Sequence, residues 1–443
     1  MDNTDTLRKK LIRLIFPITF QQFMLALVGA SDAIMLGILN QNSMSAVSLA
    51  SQVTFVFNLF MTAFIIGENM FVAQYYGKKD YDNISSVFSL VLRISCFVAI
   101  VFTIGSIFFS DSIMRFLTNE PELIAMGSKY LKNVGISYLL SAISQVNLTV
   151  MKNCNAVNSS TSIGSITVAL NIFLNAVLIF GLLGFPALGI QGAALATVIA
   201  TFVQMLWCTV YVIIKMKPLK LHVRKRNSGL TKKFWKKVTP VLLNELIWGV
   251  GFTMYSVIIG HLGTDAVAAN SIANISKNLA VCLCIGLGSA GSIMIGNELG
   301  ANRFEEAKKA GKTLTKAAIF CGALSGLLLL SLSPFIIRLA ELTPASKEYL
   351  GGMLIICSYY LIGKSVNSMT IGGIFPAGGD SKFGLFCDAI TLWFITIPIG
   401  CLCAFIWKLP VIVVYFVLSL DEMIKIPAVY WHYKKYDWLK NIT

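Results

Sequence analysis

Apolar residues run in long blocks along the whole chain, separated by short polar stretches. A helix needs about 20 apolar residues to cross the hydrocarbon core of a bilayer. About twelve blocks meet that length, near residues 12 to 37, 46 to 76, 86 to 110, 126 to 150, 161 to 184, 188 to 214, 238 to 262, 268 to 296, 313 to 339, 348 to 372, 384 to 406 and 409 to 431. The first block runs on to Gly37 without a small-residue cleavage signature, so it reads as a retained span. The pattern predicts an all-α polytopic membrane protein of 12 transmembrane helices.

The same unit is written twice. Pro17/Pro240, Gly37/Gly260, Ala46/Ala269, Ala50/Ala273 and Gly77/Gly300 all share one fixed offset in residue number. A register kept without a gap across about two helices, proline and glycine included, marks an internal duplication. The predicted organisation is an N-terminal six-helix lobe over residues 1–215, a basic linker over 216–237, a second six-helix lobe over 238–432 and a tail over 433–443. Two pseudo-symmetric bundles rocking about a central site are the usual build of secondary transporters, so transport is the leading expectation.

Composition agrees with the block pattern. The 443 residues are 56% hydrophobic and only 13% charged, with a mean hydropathy of +0.74, more apolar surface than one or two soluble cores bury. The net charge of +15 changes the picture only through its placement. Arg8, Lys9, Lys10 and Arg13 precede the first block, Lys78 and Lys79 follow the second, and Arg303, Lys308, Lys309 and Lys312 follow the eighth. Lys434, Lys435 and Lys440 follow the last, and residues 215–237 hold ten basic side chains and no acidic one. The intervening short loops are nearly free of positive charge, which predicts cytoplasmic N and C termini. The central basic run is a candidate for contact with anionic lipid headgroups. No reader fold accompanies it, so nucleic acid is not an expected partner. The ten cysteines sit singly or as C-x-C within spans, and His222, His261 and His432 lie near no cysteine pair, which argues against disulfides and zinc. No clustered His or carboxylate motif of a membrane-embedded enzyme is present, and no enzyme activity or cofactor is expected.

Several segments resemble the multidrug and toxic compound extrusion (MATE) family. They are Pro17-Ile-Thr-Phe-Gln-Gln followed by Ser31-Asp32 and Gly37, then Ala46-Val-Ser-Leu-Ala50, Leu170-Asn171 and the run from Gly184 to Thr197. In the second half they are Gly296-Asn-Glu-Leu-Gly-Ala-Asn-Arg303 and Gly378-Gly379-Asp380 with Trp393 and Pro398. The resemblance implies two six-helix lobes in an inverted V around a cavity, in a bacterial plasma membrane. It implies export of small drug-like molecules in exchange for Na⁺ or H⁺, with a monomer expected. Where many members carry Arg before Gly-Gly-Asp, this chain has Phe375-Pro376-Ala377. A flippase for lipid-linked oligosaccharide or another anionic substrate, from the same wider superfamily, is the alternative.

Charged side chains inside a membrane are costly, so each is a functional candidate. Asp32 lies in the outer half of the first span. Asn171 and Asn175, one helical turn apart, present two amides on one face, and Thr197 adds a hydroxyl. By resemblance these four match positions of the family's cation site, with Asn175 where several relatives have Asp. Glu245 lies seven residues into the seventh span, about 10 Å from its inner end. Lys364 falls at similar depth, and a Glu245–Lys364 ion pair is expected. Glu68, Lys277, Lys364 and Tyr255 are candidates for the substrate cavity. Asp421, Glu422 and Lys425 are spaced to pair within one helix.

Overall fold

The computed structural model describes residues 3–216, 219, 228–340 and 342–443, and their side chains except those of residues 3–10 and 33. The basic side chains of Arg8, Lys9 and Lys10, and those of the central run at Lys217, Lys220, His222, Arg224, Lys225 and Arg226, lie outside the described residues. The described chain is helical throughout. In order it forms α1 (Asn3–Leu39), α2 (Gln41–Gly77), α3 (Tyr81–Phe108), α4 (Ser110–Leu117), α5 (Pro121–Val134), α6 (Ile136–Asn153), α7 (Val157–Phe180) and α8 (Ile190–Lys215). There follow α9 (Ser228–Gly260), α10 (Thr264–Gly300), α11 (Phe304–Leu339), α12 (Pro344–Met369), α13 (Phe375–Ala377), α14 (Lys382–Ala389), α15 (Ile397–Cys401), α16 (Val411–Leu418) and α17 (Asp421–Lys435).

Among the described residues, 10 helices are long and apolar enough to cross a membrane on their own. The pair α5–α6, bent by 45°, makes an eleventh crossing. The twelfth block is broken at Ser419 and Leu420 into α16 and α17, and α17 opens with Asp421, Glu422 and Lys425. Its polar content keeps it from passing as an uninterrupted apolar span. Backbone irregularity at membrane depth is tolerated where it is buried in protein or lines a cavity.

The duplication is visible in the backbone hydrogen bonds. Both ends of α10 follow those of α2 at the offset that separates Pro17 from Pro240, and α11 begins at the same offset from α3. The turn after α2 places Lys79 at φ 59°, and the turn after α10 places Asn302 at φ 58°. Asp80 N donates to Tyr75 O at 2.9 Å, as Arg303 N donates to Glu298 O at 2.9 Å. Pro121 and Pro344 open α5 and α12 at the same spacing. Beyond them the spacing grows by one: Ala156 N donates to Met151 O at 2.8 Å and Asp380 N to Phe375 O at 2.9 Å. The added residue is taken up by a π-helical turn at Thr370–Ile374, since an i→i+5 turn holds one residue more than an α turn. A second π turn spans Ile390–Thr396, and a third, Leu402–Ile406, closes that helical stretch. Each of the first two runs into a proline, Pro376 or Pro398, whose missing N–H and bulky ring an α turn accepts poorly.

By internal contacts the chain divides into a unit of residues 24–233, here the N unit, and one of residues 1–23 with 234–443, here the C unit. The expected boundary placed all of the first span in the N-terminal lobe. Helix α1 is 37 residues long, about 55 Å at 1.5 Å per residue, and its first half packs within the C unit. There Cys282 Sγ reaches Gln22 O at 3.5 Å, and a Cβ added at Gly286 would strike Thr19. The N-unit core gathers Leu36, Val47, Met114, Leu131, Ile179 and Ala194. The C-unit cores include Leu350, Leu354, Leu361 and Tyr415 and Leu287, Leu314, Phe375 and Trp438. Ala46, Ala50, Ala269 and Ala273 are all 0% exposed, as expected of small residues that let membrane helices approach. The last residues pack into the C unit. Trp438 is fully buried, stacks on Tyr433 with ring centroids 5.6 Å apart and fills the space left by Gly311. All ten cysteines are free thiols.

Candidate functional site

In the N unit, α7 and α8 are joined by a tight return. Gly181 ends α7 in the left-handed region at φ 72°, and Leu188 N donates to Leu178 O at 2.9 Å. Gly192 on α8 then lies against the α7 backbone, where a Cβ would sit 2.5 Å from Leu178 O. This close approach brings the amide face of α7 to Thr197. Asn175 Nδ2 donates to Asp32 Oδ1 at 2.5 Å and to Asn171 Oδ1 at 3.2 Å. Asn171 Nδ2 in turn points to Thr197 Oγ1 at 3.5 Å, and the Thr197 hydroxyl donates to Ala193 O at 3.0 Å. The four residues singled out in the sequence thus form one continuous polar line.

Asn171 and Asn175 are buried, and Asn175 Oδ1 has no hydrogen-bond partner. The chemistry of the line suits a hard cation, because its acceptors are carboxylate, amide and hydroxyl oxygens. With Nδ2 turned toward Asp32, the Asn175 amide acts as a donor to an acidic group. Binding Na⁺ at the same place requires that amide to present its orphaned oxygen, whereas a proton binds Asp32 directly.

The C unit holds a different constellation. Lys364 on α12 does not pair with Glu245: its ammonium lies 3.0 Å from Glu422 Oε1 on α17. Among the described residues no cation stands within salt-bridge distance of Glu245. Equal depth along two helices fixes the height of their side chains but not the direction in which each points, and the break at Ser419 and Leu420 brings the start of α17 into Lys364's reach. Glu422 also accepts from Asn367 Nδ2 at 2.7 Å and lies 3.2 Å from Lys425 Nζ. Lys425 is shared further with Asp388 at 2.8 Å and Asp421 at 3.9 Å. The pairing of Asp421 and Glu422 with Lys425 inside one helix was legible from spacing. Asp388 and Asn367 were missed, and Asp388 carried a signal, being a carboxylate in an otherwise apolar block. The carboxylates at the first turn of α17 also meet the positive end of the helix dipole.

Next to this network lies a cavity of ≈ 40 Å³ whose lining includes Trp248, Phe252, Tyr255, Lys277, Tyr360 and Asp421. That volume exceeds what one water requires. The Lys277 ammonium faces the rings of Phe252 at 5.6 Å and Tyr360 at 5.3 Å, within cation–π range. Lys364 similarly faces Trp248 at 5.3 Å. The sequence-predicted Tyr255, Lys277 and Lys364 therefore share one neighbourhood. Glu68 does not belong to it: it is in the N unit, 0% exposed, with neither carboxylate oxygen hydrogen-bonded.

Known proteins with comparable sequence and fold can be set against this arrangement. The chain is 23% identical to the probable multidrug resistance protein NorM of Oceanobacillus iheyensis, over 91% of its own length and 92% of that protein's. It is 24% identical to the probable multidrug resistance protein YoeA of Bacillus subtilis, over 91% and 88% of the two chains. Among solved structures it matches a proline-to-alanine mutant of a MATE protein with a TM-score of 0.89 at 18% identity, covering 98% of this chain and 97% of that one. A MOP superfamily transporter from Pyrococcus furiosus, described as having a binding pocket of reverse polarity, matches with a TM-score of 0.87 at 18% identity over 98% and 97%. The sequence profile of the MatE family fits twice, over residues 17–177 and 240–402. The two fits begin at Pro17 and Pro240, the spacing at which the sequence and its backbone turns repeat. With both halves matched in this register, the chain belongs to the MatE family, the multidrug and toxic compound extrusion transporters.

Proposed function

We propose that the chain is a secondary active exporter that expels small organic compounds in exchange for Na⁺ or H⁺, alternating between two packings of its helices. The observation that carries this reading is the polar line Asp32–Asn175–Asn171–Thr197 in the N unit, the part of the molecule equipped to bind a small cation. The family membership and the multidrug resistance names of its relatives support the substrate class. A cation that takes Asp32 away from the Asn175 amide also disturbs Asn171 and Thr197, and so the seam between α7 and α8. Exchange requires the cation and the substrate to favour different packings, because only differential affinity moves such an equilibrium. Glu245, with no cationic partner among the described residues, is the candidate second coupling group, in the C unit. Lys277, Lys364 and Tyr255 are candidates for substrate contact there.

The test is efflux of ethidium from proteoliposomes under an imposed Na⁺ or H⁺ gradient, comparing wild type with Asp32→Asn and Glu245→Gln. Asp32→Asn is expected to abolish gradient-driven efflux while the protein remains monodisperse. Efflux that persists in Asp32→Asn removes the N-unit cation site, and an absence of dye movement under either gradient removes cationic dyes as the substrate and leaves anionic or lipid-linked compounds. Flipping of a lipid-linked or other anionic substrate is the second reading, favoured by Lys277, which has no ion-pair partner among the described residues. A requirement for a lipid-bound substrate in the same vesicles distinguishes it.

A further inference from the structure

The internal repeat allows the two units to be compared position by position at the level of charge. Asp32 and Tyr255 are repeat mates at the offset of Pro17 and Pro240, and so are Thr54 and Lys277. In the N unit the pair is a carboxylate and a hydroxyl, with Thr54 Oγ1 3.0 Å from the Tyr138 hydroxyl. In the C unit it is a neutral phenol and an ammonium. Two substitutions thus reverse the polarity of the corresponding place, from one acidic group to one basic group. Both C-unit residues line the ≈ 40 Å³ cavity.

Three observations indicate what that cavity lacks. Lys277 has no carboxylate within salt-bridge distance among the described residues, although five charged neighbours on α12, α14 and α17 are paired with one another. Its ammonium is held by ring faces alone, which attract a cation but do not neutralise it. The Tyr255 hydroxyl, a potential donor, has no hydrogen-bond partner of good geometry. An ammonium and a hydroxyl whose nearest side-chain acceptor is Thr396, on one aromatic-lined cavity, call for an oxyanion, since charge-assisted bonds to a carboxylate are the strong ones. A bulkier apolar body would be met by Trp248, Phe252 and Tyr360.

We propose that Lys277, assisted by Tyr255, forms an anion subsite in the C unit that seats the carboxylate of an aromatic organic acid. The acidic group on the same wall, Asp421, has its Oδ2 directed to Lys425 at 3.9 Å and its Oδ1 without a partner. An ammonium elsewhere on the ligand is answered there, so aromatic zwitterions fall within the class. The volume admits the acid group, and the ligand's body adds to it by displacing side chains at the wall. The proposal rests on the exporter reading for its biological meaning, and it narrows the substrates of that exporter toward acids and zwitterions.

The experiment measures binding at equilibrium without any gradient, so it is independent of whether transport occurs. Protein in lipid nanodiscs is titrated with 1-pyrenebutyrate and with its methyl ester, which carries the same ring system without the charge, by energy transfer from tryptophan. Wild type is expected to bind the acid about tenfold or more tightly than the ester, the scale of one charge-assisted hydrogen bond. Lys277→Met is expected to remove that preference, Lys277→Arg to keep it and Tyr255→Phe to reduce it about threefold. Equal affinity of wild type for acid and ester overturns the subsite, as does a preference unchanged in Lys277→Met. Efflux of ethidium and of 1-pyrenebutyrate by the same preparation is scored separately: efflux of either without the acid preference defeats the subsite alone, and acid preference with efflux of neither supports the subsite and defeats the exporter reading.

Discussion

Removing the Lys425 ammonium is the sharpest perturbation available in the C unit. Its side chain is 2% exposed and it is the cation nearest to Asp388, at 2.8 Å, with Glu422 at 3.2 Å and Asp421 at 3.9 Å. Glu422 has a second cation, Lys364 at 3.0 Å, and the Asn367 amide at 2.7 Å. Asp388 has no other cation among the described residues. Breaking a buried pair by deleting one partner costs about 3–5 kcal/mol, because the remaining charge is left uncompensated. Lys425→Met is expected to fall in that range. Lys364→Met is expected to cost about 1–3 kcal/mol, since its partner keeps a cation and an amide and Lys364 itself is 19% exposed. In the double variant Lys425→Met/Asp388→Asn one of the two carboxylates left without a cation is gone, Asp421 remaining, and part of the loss should return, giving a coupling of about 1–3 kcal/mol. The assay is thermal unfolding in detergent, followed by fluorescence-detected gel filtration, with the order wild type, Lys364→Met, double variant, Lys425→Met. A Lys425→Met protein that melts with wild type, or a double variant that loses the sum of both single losses, would refute the argument that the lysine compensates a buried carboxylate.

Other expectations follow from single contacts. Gly192→Val should force α8 off the α7 backbone at Leu178, costing about 1–3 kcal/mol and abolishing ethidium efflux even though Asp32 is untouched; retained efflux would show that the α7–α8 approach is not needed. Trp438→Ala should lower the apparent melting temperature by the equivalent of about 3–5 kcal/mol, and an unchanged melt would mean the buried C-terminal segment contributes nothing. Glu68→Met should raise the melting temperature, because a fully buried carboxyl without hydrogen bonds is replaced by an apolar side chain of similar length. A lowered melt would reveal a polar partner for Glu68.

Much of this molecule is legible in its sequence because bilayer thickness and apolar block length are tied together. The constant spacing of Pro17 and Pro240, of Gly77 and Gly300, reappears in helix ends and turn geometry because proline and glycine mark backbone positions that side chains do not. Asp32, Asn171, Asn175 and Thr197 were legible as a set through resemblance, and the structure joins them by hydrogen bonds. Partner choice in the C unit was not. Residue counts gave the depths of Glu245 and Lys364, but which carboxylate Lys364 meets depends on the chain break before α17. The packing of α1's first half into the C unit and the seating of Trp438 were equally hidden, because both are contacts between segments distant in sequence.

The π turns of the second half give its helices a freedom of a particular kind. One surplus residue in a helical coil behaves like a dislocation in a screw thread: it can migrate when carbonyls exchange amide partners one at a time, and no hydrogen bond need be lost in the sum. Each step of that migration turns the residues it passes by about 100° and shifts them by about 1.5 Å. The defects at Thr370–Ile374 and Ile390–Thr396 flank the stretch that carries Asp388, so the buried charges of the C unit can be re-aimed by rewinding alone. The described helices of the N unit have no such surplus residue. Two halves descended from one unit thus differ in one structural respect: surplus residues are wound into the helices of the C unit and into none of the described helices of the N unit.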